Sequence, residues 1–310
     1  MARALVIGTI NWDVTLFVRN LPRAGAEAAV EHVTRVPGGK AGNVAVAIAR
    51  ILGPNQAAIL GGLGKDAIAS EQLRMFHKEG VITTGLKITR DSESGQAYII
   101  VDKEGENIIH SYAGANATIT PKDLNHPTRS KLISAASIIA ITDPPFETGL
   151  KLARESKRLG KIVAWDPGLR SELGIERTRP LLEKLDYLAL NRSEIANLTG
   201  TRNIREGSRR LIKVNPRLKV ITKLGPRGCI LHQANKTIKC RPLDLRFHGL
   251  KAKNTVGCGD AFLGAFVASL SERRSDEEAL EWANCAAGLK ATRLETRGSP
   301  DRMTLPRYLS

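Results

Sequence analysis

Aromatic residues are scarce in this chain: phenylalanine, tryptophan and tyrosine together make up 4% of it. Surfaces that hold single-stranded nucleic acid stack bases on aromatic side chains, so the scarcity argues against a dedicated nucleic-acid site. Cysteine is sparse too, with four residues at 229, 240, 258 and 285 and no Cys-x-x-Cys spacing. That pattern supports neither a zinc site nor a secreted disulfide framework, and the thiols read as buried or incidental. Apolar runs such as Ser137–Ile141 and Phe262–Leu270 fall far short of the roughly 20 residues needed to cross a bilayer. An internal repeat, a low-complexity linker and a Walker A sequence are all missing, which removes solenoids and P-loop nucleotide hydrolases. Acidic residues number 31 against 47 lysines and arginines, a formal charge of +16. Such a charge concentrates anionic ligands. Yet the basic residues are spread along the chain, and pairs such as Arg209-Arg210 and Arg273-Arg274 read as solvated helix faces.

What is present fits a globular protein: 310 residues, 42% hydrophobic and 25% charged, enough for a large core. The start reads as a buried strand rather than a signal peptide, which predicts a cytoplasmic protein without membrane contact. Short apolar runs at Ala4–Ile7, Ala57–Leu60, Ile138–Ile141, Ile162–Trp165, Tyr187–Leu190 and Val220–Lys223 alternate with helix-period stretches. Helices are predicted over 43–52, 66–78, 147–159, 193–199, 204–213, 260–271 and 276–293. Continuous apolar strands between helices predict a mostly parallel sheet covered on both faces. Residues 14–36 and 86–113 break the rhythm with alternating β segments, and Asp102–Gly105 reads as a hairpin turn. Alternation wets one face, so these segments are expected to form a small β layer serving as a lid over a pocket.

Asn254-Thr255-Val256-Gly257-Cys258-Gly259-Asp260 leads directly into an apolar helix. Gly257 and Gly259 let the backbone turn tightly and approach a ligand. Amides of 257–260 at a helix N-terminus would bind phosphate and stabilise negative charge on a phosphoryl group in transit. Asp260 beside them could accept a proton from an attacking hydroxyl, or could simply cap the helix. The helix dipole would depress its pKa, which phosphoryl transfer tolerates because positioning outweighs base strength.

This stretch resembles the C-terminal signature of the ribokinase-like (PfkB) carbohydrate and nucleoside kinases. Pro37-Gly38-Gly39-Lys40-Ala41-Gly42-Asn43-Val44-Ala45 is similar to the N-terminal signature of the same family, and the likeness covers essentially the whole chain. The resemblance implies a single α/β domain over 1–310, a three-layer α/β/α sandwich with a mostly parallel central sheet and a small β-sheet lid. It implies transfer of a phosphoryl group from ATP or ADP, with Mg²⁺, to a hydroxyl of a sugar or nucleoside. Position by position, it implies that Asn11, Asp13, Gly38, Gly39, Lys40, Asn43 and Asn116 bind the acceptor. Asp260 would act as base with Gly257, Cys258 and Gly259 forming the anion hole. Asn191, Thr222, Lys223, Gly225, Gly228 and Asn284 would line the nucleotide, and Glu194 would meet Mg²⁺ through water; Asn191 is otherwise a plain helix cap. The family usually has Asp where this chain has Asn254, and that Asp often helps hold a monovalent cation, so the substitution argues against potassium activation. Cys258 stands where Ala is usual and is expected to admit thiol reagents.

Two other readings compete. Gly62-Leu63-Gly64-Lys65-Asp66-Ala67 fits the GxGxxA of dinucleotide-binding oxidoreductases, but sits on the second strand with no acidic strand end at the right distance. A non-catalytic binding protein on the same fold would be expected to lose Asp260 or the glycines. Among acceptors, ribose, other sugars, nucleosides and ribose 1-phosphate are all compatible. A phosphorylated acceptor would call on extra cations near the lid, with Arg35, Lys40 and His110 as candidates. The lid's exposed β face predicts a homodimer through paired lids.

Overall fold

The computed structural model describes residues 2–104 and 106–309. The first half runs β1 (Ala4–Gly8), β2 (Asn11–Val18), β3 (Val30–Gly38), α1 (Lys40–Leu52), β4 (Ala57–Leu60), β5 (Gly62–Gly64), α2 (Ala67–Lys78) and β6 (Lys87–Thr89). It continues with β7 (Gly95–Val101), β8 (Asn107–Tyr112), α3 (Pro127–Ala135), β9 (Ile138–Thr142), α4 (Phe146–Arg158) and β10 (Ile162–Asp166). The second half adds α5 (Gly174–Leu182), β11 (Tyr187–Leu190), α6 (Arg192–Thr199), α7 (Ile204–Val214), β12 (Lys219–Lys223), β13 (Cys229–Gln233) and β14 (Lys236–Cys240). Two long helices follow, α8 (Cys258–Ser271) and α9 (Asp276–Ala291).

Eight strands form one sheet in the order β14-β13-β12-β11-β10-β9-β1-β4, parallel except where β13 and β14 join. The strands are apolar throughout because both faces are packed. In β1, Ala4 and Val6 face a core shared with α1, α8 and α9, while Leu5 and Ile7 face one shared with α3–α7. Each fully buried Leu or Ile contributes about 1.5–3 kcal/mol relative to exposure, so the two cores together fix the layer order. Helix α8 is buried nearly all round because it is sandwiched between neighbours. Gly264 lets it lie directly against Ala47 of α1, where a Cβ would meet the Ala47 methyl.

A second sheet, in the order β3-β2-β7-β8, stands apart from the first. Its first strand begins at Asn11 rather than 14, so Asp13 lies within the sheet, paired to Val36 and Ala97. Residues 87–89, expected in this layer, instead pair with β5 as a separate two-stranded piece. The GxGxxA stretch supplies that β5 strand, and Asp66 caps α2 by accepting from Ala69 N at 2.8 Å. Of the expected hairpin turn, Lys103 and Glu104 are turn residues and Gly105 lies outside the described residues. Among the described residues, no helix is long and apolar enough to cross a membrane.

Candidate active site

The carboxyl ends of β1, β9, β10, β11 and β12 all point to one side of the main sheet, where ligands of open α/β sheets bind. Helices α1 and α8 bring their N-termini to this edge. Each begins after a glycine in the left-handed region, Gly39 at φ 83° and Gly257 at φ 82°. Neither position admits a side chain. A Cβ on Gly39 would strike the Asn11 amide and Thr9 carbonyl, and one on Gly257 the Thr296 carbonyl.

Across the gap, Asn43 Nδ2 of α1 donates to Asp260 Oδ2 of α8 at 2.7 Å. Burial pushes Asp260 up to about 6, with the Asn43 bond and Lys40 acting the other way. The expected depression by the helix dipole therefore does not prevail, because desolvation is the larger effect. Beside it, Asp13 is 7% exposed. Burial pushes its carboxyl up to about 7, Arg297 opposing and Asp260 reinforcing. Gly38 makes room for this carboxylate: any Cβ there would collide with both Asp13 oxygens.

Arg297 ties the start of α1 to the end of β3. Its Nε donates to Asn43 Oδ1 at 3.2 Å and its Nη2 to Gly38 O at 2.9 Å, while the guanidinium lies 4.8 Å over the Phe76 ring. Burial lowers its pKa to about 9 against the pull of Asp13. Arg297 is thus the counter-charge for Asp13 and Asp260. Sequence reading missed it, since Thr296-Arg297-Gly298 carries neither periodicity nor motif.

At the first turn of α8, Cys258 N is spent on Thr255 O at 3.1 Å. Among the described residues, the amides of Gly257, Gly259 and Asp260 find no acceptor. The expected ring of donors is therefore smaller by Cys258. Burial also raises the Cys258 thiol pKa, which makes it less, not more, open to thiol reagents.

Next to these amides stands an ion cluster. Asp166, at the end of β10, accepts from Lys40 Nζ at 3.0 Å and Lys223 Nζ at 2.5 Å. Burial acts against its ionisation, but Lys223 and Lys40 hold it well below the usual carboxylate range. Lys40 also meets Asp143 at 3.2 Å and Glu194 at 3.9 Å. Burial opposes the charge on Lys40, yet Asp166, Asp143 and Glu194 outweigh it and raise its pKa. A Cβ on Gly259 would lie 3.5 Å from Lys223 Nζ, so this ammonium borders the α8 N-terminus. Asp143 carries a left-handed backbone at φ 57° and a buried Oδ1 without a partner. Neither Asp143 nor Asp166 was singled out from sequence. Both stand before proline at a strand end and read as turns, and only their place at carboxyl strand ends could have flagged them.

The remaining candidates lie around this centre. Asn116 uses Oδ1 on Ile10 N at 2.8 Å and Nδ2 on Asn11 Oδ1 at 2.8 Å, so it orients Asn11 instead of facing outward. Asn191 caps α6, accepting from Glu194 N at 2.8 Å while Glu194 Oε2 accepts from Asn191 N at 2.7 Å. The Asn191 side-chain oxygen is thereby occupied. Burial raises the Glu194 pKa, with Asp166 adding to it. Thr222, the penultimate residue of β12, has a buried, unpartnered Oγ1, and Gly225 and Gly228 turn the chain with positive φ. Asn284 of α9 donates to Arg241 O at 3.1 Å and lines a 690 Å³ cavity with Cys240, Leu243, His248 and Tyr308.

The three cations expected to meet a phosphorylated acceptor do not converge. Arg35, Val14, Tyr98 and His110 form one row across the second sheet, one residue along from the row Val36, Asp13, Ala97 and Ser111. Side chains alternate along a strand, so Arg35 and His110 face away from the Asp13 side, and Lys40 is locked into the carboxylates.

Two helix N-termini, a buried carboxylate and paired ammonium groups are the kinds of group that phosphoryl transfer requires. The chain matches the pfkB family of carbohydrate kinases over residues 1–302 and belongs to that family. It is 30% identical over 310 residues to an ATP-dependent ribose-1-phosphate kinase of Halopiger xanaduensis, covering 100% of this chain and 99% of that one. A ribokinase of Lactococcus lactis is 29% identical over 306 residues, covering 98% and 95%. Among solved structures, Thermotoga maritima ribokinase superposes with TM-score 0.86 at 28% identity, and Arabidopsis thaliana ribokinase complexed with ribose and ATP with TM-score 0.86 at 25%. Each covers 100% of this chain and 99% of its own. The protein is therefore a ribokinase-like carbohydrate kinase, and the oxidoreductase reading is set aside.

Proposed function

We propose that the chain transfers the terminal phosphoryl group of ATP to a hydroxyl of a ribose unit, taken as free ribose or as ribose 1-phosphate. The observation that carries this is the meeting of Asp13, Asn43 and Asp260 beside the unoccupied amides of α8. Asp13 accepts hydrogen bonds from vicinal sugar hydroxyls, with Asn11, Asn43 and the Gly38–Gly39 backbone around them. Asp260 takes the proton of the attacking hydroxyl; a base poised near 6 suits a reaction run near neutrality. The amides of Gly257, Gly259 and Asp260, with the bordering Lys223, stabilise charge on the phosphoryl oxygens as they move. The nucleoside half of ATP enters the cavity beside Asn284, reached along the Thr222–Gly228 turn, a volume within the usual range of ligand pockets.

Mg²⁺ fits as a companion of the nucleotide. Among the described residues no group of three or more His, Cys, Asp or Glu is spaced to hold a metal alone. Mg²⁺ commonly uses one or two carboxylates, waters and substrate phosphates, which Glu194 and the free oxygen of Asp143 can supply. When bound it neutralises phosphate charge. The second sheet acts as the lid that excludes water and so suppresses ATP hydrolysis. Its exposed Ile108, Ile109 and Tyr98 favour pairing of two lids in a homodimer, and a soluble ATP supply favours the cytoplasm.

The test is a phosphorylation screen crossing ATP and ADP with ribose, ribose 1-phosphate, other free sugars and nucleosides. The highest kcat/KM is expected for ATP with one of the two ribose acceptors. A higher value with a nucleoside or a hexose would overturn the assignment.

A further inference from the structure

Lys290, in the last turn of α9, is 0% exposed. Buried ammonium groups normally pair with a carboxylate, because an unpaired charge in the interior is costly. This one donates instead to two main-chain oxygens, Asn254 O at 3.0 Å and Arg293 O at 3.4 Å. Burial lowers its pKa, with Cys258, Glu295 and Asp260 acting the other way.

Those carbonyls belong to two segments that are otherwise laced together. Lys253 N and Asn254 N both donate to Ala291 O, at 2.7 and 3.0 Å. Asn254 Nδ2 donates to Leu294 O at 2.7 Å, and Val256 N donates to Asn254 Oδ1 at 2.9 Å. The 254–256 turn leads straight to Gly257 and the free amides of α8, so whatever fixes this turn fixes the anion site.

Main-chain carbonyls converging on one positive charge are also how proteins hold bare monovalent cations. The cation associated with an aspartate at position 254 does not fit this chain. Nζ of Lys290 already occupies the Asn254 carbonyl, and both polar atoms of the Asn254 side chain are spent. We propose that the Lys290 ammonium is a built-in monovalent cation: a positioning residue that clamps the 254–256 turn under the phosphoryl site and makes the enzyme independent of added monovalent salt. This rests on the phosphotransferase reading of α8 but not on the identity of the acceptor.

The experiment compares tetramethylammonium chloride with KCl and NH₄Cl at constant ionic strength, reading both turnover and Tm. Wild-type protein is expected to show the same turnover and Tm in all three. Lys290→Ala opens a space for a small cation. In tetramethylammonium it should lose about 100-fold in turnover, the cost typical of a misplaced catalytic group, and melt earlier. K⁺ or NH₄⁺ should restore part of the turnover and raise its Tm. Lys290→Met fills the space without charge and should lose turnover with no recovery. Potassium-dependent wild-type turnover would overturn the proposal. So would a Lys290→Ala protein that works normally in tetramethylammonium, or one that recovers in neither readout. The Tm readout needs no acceptor, so a wrong choice of sugar would leave it intact.

Discussion

In the proposed mechanism, replacing Asp260 with Asn isolates the proton-accepting step from everything else the residue does. The change is isosteric, and the side-chain oxygen of Asn can still accept from Asn43 Nδ2, a bond of 2.7 Å in the wild type. The geometry of the α1–α8 junction should therefore survive, and acceptor and nucleotide KM should move little. What is lost is the carboxylate. General-base assistance is typically worth about 10²–10⁴ in rate, or about 2.7–5.4 kcal/mol in the barrier. The pH profile gives an independent signature. Burial holds Asp260 at about 6, so the wild-type base gains its proton, and kcat falls, as pH drops through about 6. Above that the base is ionised and kcat is level with respect to this group. The variant lacks the titrating group, so its residual kcat should lose this acid limb. The assay is coupled nucleotide-release kinetics at saturating substrates over about pH 5–8.5. Turnover close to wild type, or an acid limb persisting near 6 in the variant, would remove Asp260 from the proton transfer.

Gly38→Ala drives a methyl group into the Asp13 carboxylate; acceptor KM should rise by about tenfold or more while nucleotide KM stays put, since one lost charged hydrogen bond is worth about 1.5–3 kcal/mol. Arg297→Met fills the space over Phe76 but strands two carboxylates without their counter-charge. It should cost about 3–5 kcal/mol of stability, read as a lowered Tm, and should move the acid limb of kcat/KM upward because the force lowering the Asp13 pKa is gone.

Much of the architecture was legible because strand and helix periods differ so plainly. Ala57–Leu60 and Ile138–Ile141 are apolar at every position, which only a strand packed on both faces requires. The glycines before α1 and α8 were legible for a related reason: a left-handed backbone beneath a neighbouring carbonyl leaves no chemical alternative. Arg297, Asp143 and Asp166 were not legible. Their roles come from partners far away in sequence, and nothing local distinguishes a counter-charge from a turn residue. The Cys258 amide was misjudged because its Thr255 partner depends on the exact path of the turn. The edge of the second sheet was blurred by β6, whose three residues alternate like their neighbours but pair elsewhere.

The contact between Arg297 and Gly38 joins positions 259 residues apart. Domains form from the leading end as the ribosome extends the chain, so most of the eight-stranded sheet can assemble before this closing arginine has been translated. Until then Asp13 has no neutralising neighbour and Asn43 lacks one of its anchors. A nascent polypeptide thus passes through a stage in which the sheet is largely formed while the Asp13 side still lacks its counter-charge.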